Sequence, residues 1–72
     1  MQVNFRADRL RKARIKKKLT QEELAEKCNT SDRYIRDLEQ GRKNHPSAEI
    51  LCLLAASLEI SMDELVDLGE DT

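Results

Sequence analysis

The side chains of this chain that could do chemistry are cations in one part and anions in the other. All 13 Lys and Arg fall at or before Lys43, against 7 acidic residues there, a local balance of +6. The rest carries 7 acids and no Lys or Arg, so the net charge of −1 conceals two opposed halves. Ammonium and guanidinium groups make charge-assisted hydrogen bonds to anions, so the first part suits an anionic partner and the second is repelled by one. The basic run at residues 9–18 adds long-range attraction, although much of it reads as the solvated face of a helix. Other chemistry is poorly provided for. One His and two separated Cys, without a Gly-rich phosphate loop, make no catalytic constellation, and no enzyme is expected. Cys28, His45 and Cys52 lack the paired spacing of a structural zinc site, and no cofactor or metal is expected. Both cysteines lie in apolar helical patterns and read as core thiols, reduced in a cytoplasmic setting. The longest apolar run, residues 50–56, is too short to span a membrane, and no signal peptide is read at Met1.

The elements that would position these charges are helices. Two Gly and one Pro in 72 residues leave few breakers. Thr20-Gln21-Glu22-Glu23 is a capping box, with Leu19 and Leu24 as its hydrophobic staple. Ser61-Met62-Asp63-Glu64 repeats the device between Ile60 and Leu65, and Ser31 and Ser47 read as further N-caps. The pattern predicts one all-α domain over residues 1–72, a five-helix bundle with helices at residues 5–17, 21–28, 32–39, 48–58 and 62–68. Helical spacing predicts a core of Leu10, Leu24, Ala25, Cys28, Ile35, Leu38, Leu51, Leu54, Ala55, Leu58 and Leu65. No helix of this length is stable alone, so all must pack together.

The second and third helices have the form of a helix-turn-helix. Ala25 is small where the two must cross, and Asn29 tolerates the left-handed turn between them. Ile35 and Leu38 face one side of the third helix inward, leaving Asp32, Arg33, Arg36 and Asp37 on the other. The runs LTQEELAEKCNTSDRYIRDLEQG and HPSAEILCLLAASLEISMDEL resemble the phage-repressor and Cro-like helix-turn-helix family, also called the xenobiotic-response-element family, essentially from Leu10 to Leu68. Gln21, Ala25, Ile35, Leu38, Glu39, Gly41 and Pro46 match its pattern. The resemblance implies a lambda-repressor-like bundle whose third helix enters the major groove of double-stranded DNA, usually as a dimer.

Carried over residue by residue, it implies that Gln21, at the start of helix 2, bonds a backbone phosphate, and that Arg14 and Glu39 form a partly buried structural ion pair. Arg33 and Arg36 are the candidates for reading bases, since a guanidinium matches the O6 and N7 edge of guanine. Against that stands pairing within the helix, Asp32 with Arg36 and Arg33 with Asp37, worth only ~0.2–0.5 kcal/mol each. Either Asp could instead accept from cytosine N4, and both repel phosphates. Ser31 belongs to the same DNA-binding set. Arg42, Lys43 and Asn44 are placed to clamp the DNA backbone, with His45 either joining them or solvated. Tyr34 has two readings, its hydroxyl on a phosphate or its ring packed on helix 2. Lys18 and Glu59 depart from the family's usual Gly or Asn at helix ends.

Ile50 and Leu53 stand where the family often has polar residues. With Met62, Val66 and Leu68 they predict an exposed apolar patch and a two-fold homodimer through helices 4 and 5. The expected function is a sequence-specific transcriptional regulator, a repressor or autoregulator on a palindromic operator. The alternative is a protein-interaction module, an antitoxin or adaptor, for which the acidic segment at residues 67–71 would serve.

Overall fold

The computed structural model describes residues 2–69, with residues 2, 68 and 69 by backbone alone. Its elements in order are β1 (Gln2–Phe5), α1 (Ala7–Lys16), α2 (Gln21–Lys27), α3 (Asp32–Glu39), α4 (Ala48–Leu58), a single 3₁₀ turn (Met62–Leu65) and β2 (Val66–Gly69). The caps set the helix starts. The Glu23 N–H donates to Thr20 Oγ1 at 3.0 Å and the Thr20 N–H to Glu23 Oε1 at 2.8 Å, so the capping box is complete. Ser31 Oγ accepts from the Tyr34 N–H and Ser47 Oγ from the Ile50 N–H, each at 3.1 Å.

All four α-helices stop in the same way. The residue after the last turn is left-handed, at Lys18 (φ 59°), Asn29 (φ 54°), Gly41 (φ 80°) and Glu59 (φ 57°). The next N–H then reaches back to a carbonyl five residues earlier: Leu19 to Arg14, Thr30 to Ala25, Arg42 to Asp37 and Ile60 to Ala55, all within 2.9–3.1 Å. This arrangement satisfies carbonyls that a helix end otherwise leaves open. Only one of the four positions is glycine, and an L side chain there costs about 1 kcal/mol or more. Lys18→Gly should therefore stabilise the protein by about 0.5–1 kcal/mol, after allowance for the freer unfolded chain. That is a rise of a few degrees in the thermal midpoint followed by circular dichroism. An unchanged or lower midpoint would show that Lys18 is not strained.

Ten side chains make the buried core: Leu10, Leu24, Ala25, Cys28, Ile35, Leu38, Leu54, Ala55, Leu58 and Leu65. All ten stand in the sequence-derived core; Leu51, the eleventh expected there, is only partly buried. Burial pushes the Cys28 thiol up, partly offset by contact with the Ser57 hydroxyl. Cys52 corrects the reading of two core thiols, since it is exposed on the outer side of α4.

The larger correction concerns the two ends of the described chain. The fold is mostly helical, but among the described residues there are four α-helices, not five, and a small sheet in addition. Phe5 belongs to a strand rather than to the first helix, and the predicted helix at residues 62–68 is one 3₁₀ turn followed by a strand. β1 and β2 pair antiparallel, with Gln2 opposite Gly69, Val3 opposite Leu68, Asn4 opposite Asp67 and Phe5 opposite Val66. The Ser61 N–H does donate to Glu64 Oε2 at 3.2 Å. That local start cannot carry a helix through Val66, whose β-branched side chain favours the extended pairing that Phe5 and Val3 offer. Arg6 clasps the junction, bonding Asp67 and, at 3.2 Å, Asp8; Arg9 also reaches Asp67 at 3.3 Å. The hydrogen bond from Arg6 holds the Asp8 carboxyl below its ordinary value. None of the described helices is long and apolar enough to cross a membrane.

Candidate nucleic-acid interface

The interface begins with how α2 and α3 are held. Ala25 is 2% exposed and lies in the same core cluster as Ile35 and Leu38, while Asn29 makes the turn. Behind them is a buried ionic knot. Arg14 Nε is 2.6 Å from Glu39 Oε2 and its Nη2 3.1 Å from Oε1, a two-pronged contact with side chains 12% and 3% exposed. Arg14 Nη1 also donates to the Leu19 carbonyl at 2.8 Å, tying the turn between α1 and α2 to the same group. The ion pair expected between Arg14 and Glu39 is thus present.

Gln21 joins that knot, its Nε2 donating to Glu39 Oε1 at 3.2 Å. This fixes the side chain at the N-terminal end of α2, where backbone N–H groups and the helix dipole favour an anion. The geometry leaves the amide oxygen and the second N–H of Gln21 uncommitted by that bond.

Ser31, the N-cap of α3, and Asp32, Arg33 and Arg36 on the helix are exposed. The Asp32–Arg36 pair is made, at 3.3 Å, between side chains nearly half exposed. Such an exposed pair is weak and readily exchanged for another partner. The other pairing is not found: Asp37 does not serve Arg33. Its side chain is 12% exposed and its oxygen lies 3.7 Å from Arg42 Nη1. Asp37 therefore leaves the outward set, because the loop after α3 folds back over it, with the Arg42 and Lys43 N–H groups both on the Asp37 carbonyl. Arg33 has no ion-pair partner among the described residues. Arg42, Lys43, Asn44 and His45 are exposed along that loop. Tyr34 is half-buried and packs on the core, with the Lys43 ammonium 5.8 Å from its ring centroid. Nothing in the sequence flagged this contact, or the Asp37–Arg42 pair, since both depend on the path of the loop.

The expected dimer patch is less open than an apolar count suggests. Ile50 and Leu53 are half-buried and pack partly on the core, Val66 is half-buried, and Met62 is 38% exposed. The Leu68 side chain lies outside the described ones.

Two short helices crossing at a small residue, with the second held at a fixed angle and its polar face outward, define a helix-turn-helix protein. The chain belongs to the helix-turn-helix family, whose model matches residues 10–65. The immunity repressor protein of Bacillus phage phi105 is 42% identical over 64 residues, which are 89% of this chain and 42% of that protein. The chain thus spans about two fifths of that relative's length. Among solved structures, SinR, the master regulator for biofilm formation, in complex with DNA, has a TM-score of 0.78 at 27% identity, over 82% of this chain and 97% of that one. The P22 c2 repressor protein in complex with a synthetic operator has a TM-score of 0.75 at 30% identity, over 79% and 85% of the two chains.

Proposed function

We propose that this chain is a sequence-specific regulator of transcription that binds double-stranded DNA through α3, acting as a repressor or autoregulator. The observation that carries the reading is the exposed guanidinium of Arg33, outward on a helix whose angle is fixed by the Arg14–Glu39–Gln21 knot. Arg36 lies beside it, Gln21 is set to meet a phosphate at one side, and Arg42, Lys43 and Asn44 stand at the other. The likeness to SinR and to the P22 c2 repressor, each solved with DNA, and to a phage immunity repressor supports it. Ser31 and Asp32 border the same surface; Asp32 holds Arg36 until a base displaces it.

A dimer joined through Ile50, Leu53, Met62 and Val66 would set two α3 helices about 34 Å apart, one turn of duplex, on a palindromic operator. The test is fluorescence anisotropy with duplex from upstream of the chain's own gene, against a scrambled duplex at ~150 mM salt. Specific binding should exceed non-specific binding by ~10³ or more. Equal, weak binding to both would favour the interaction-module reading instead.

A further inference from the structure

Lys43 is tied to α3 twice. Its backbone N–H donates to the Asp37 carbonyl at 3.2 Å, beside the Arg42 N–H at 2.9 Å. Its ammonium stands 5.8 Å from the centroid of the Tyr34 ring. The Asp37 carboxylate, the other group in this corner that attracts a cation, faces Arg42 at 3.7 Å. Tyr34 is itself anchored, half-buried against the core with its N–H capped by Ser31. The negative face of an aromatic ring attracts a cation within about 6 Å. A free lysine head swings on a four-carbon stem, and a partner that captures it must bear the cost of ordering it.

Resting on the DNA-binding reading above, we propose that Tyr34 is a positioning residue. Its ring face, rather than its hydroxyl, holds the Lys43 ammonium at the end of α3, so that a backbone phosphate meets a charge already in place. The register of that phosphate contact relative to Arg33 and Arg36 is then fixed before DNA arrives, because all the groups concerned are carried on α3 or pinned to its last turn.

The test has one part with DNA and one without. With the duplex from the chain's own upstream region, Lys43→Ala should reduce the slope of log K against log salt by about 0.9, the signature of one lost phosphate contact. Tyr34→Leu should weaken binding roughly two- to fivefold, and this loss should vanish in the Lys43→Ala background. Tyr34→Phe should bind as the wild type does. A Phe variant as weak as the Leu variant, or a Leu loss undiminished without Lys43, would overturn the proposal. In the free protein, the Lys43 ε-methylene protons should be shifted upfield by the ring current in wild type and Tyr34→Phe, and relax to random-coil positions in Tyr34→Leu. Random-coil positions in a wild-type protein that does bind DNA would overturn the positioning alone. Failure of the wild type to bind any duplex, with the shift intact, would overturn the DNA-binding reading and with it the role given to Tyr34.

Discussion

Glu39→Ala is expected to remove a large share of the protein's folding stability. The Glu39 carboxylate is 3% exposed and meets Arg14 through both oxygens, while Gln21 donates to one of them. Removing it strands a guanidinium that is only 12% exposed, a loss of about 3–5 kcal/mol. A chain of 72 residues has roughly 4–11 kcal/mol in total, at ~0.05–0.15 kcal/mol per residue. Urea unfolding monitored by circular dichroism measures the difference. Arg14→Lys should not behave as a mild change, because an ammonium cannot reproduce the two-pronged contact and the bond to the Leu19 carbonyl together. The double replacement Arg14→Met with Glu39→Leu should be more stable than either single alanine variant, since neither charge is then left alone. A loss below about 1 kcal/mol for Glu39→Ala would mean that solvent reaches this knot and that it does not set the angle of α3.

Arg33→Ala should leave the fold intact and remove discrimination. The side chain is exposed, and the cost should fall on binding to the preferred duplex by about 1–3 kcal/mol, roughly 5- to 150-fold. Binding to scrambled DNA should change far less. Arg36→Ala should cost less than Arg33→Ala, because the Arg36 guanidinium must first leave Asp32. Anisotropy titrations of the variants on both duplexes separate the cases. An Arg33→Ala variant weakened equally on specific and scrambled DNA would make Arg33 a phosphate contact and pass the base-reading role elsewhere.

What could be read directly from the sequence was local or periodic. Thr20 and Glu23 are three residues apart and identify a helix start by themselves, and Ile35 with Leu38 gives the buried side of α3. The structure agrees on both. Asn29 was legible as a residue that tolerates a left-handed turn, whereas Lys18 and Glu59 stood out only through the family resemblance, as departures from its usual Gly or Asn. What was not legible depended on a partner distant in the chain. Val66, Asp67 and Leu68 alternate as a strand does, yet so short a run after a good capping box also suits a helix. The choice was made by β1, which no window around residue 66 contains. Asp37 shows the same limit at smaller scale. A helical wheel treats α3 as a bare cylinder and places Asp37 outside, whereas the loop through Arg42 and Lys43 returns to cover it.

The pairing of β1 with β2 also bears on the order in which the molecule assembles. Arg6 and Asp67, which clasp it, are 61 residues apart in sequence, while the ends of α2 and α3 close within a few residues. Helical turns form in about a microsecond or less, and a long loop must lose its freedom before a distant pair can meet. The helix-turn-helix is therefore expected to gather first, with the strands pairing afterwards as a late seam. Because the Arg14–Glu39 pair that ties α1 to α3 lies outside this seam, opening of β1 and β2 is expected to leave the angle of α3 unchanged.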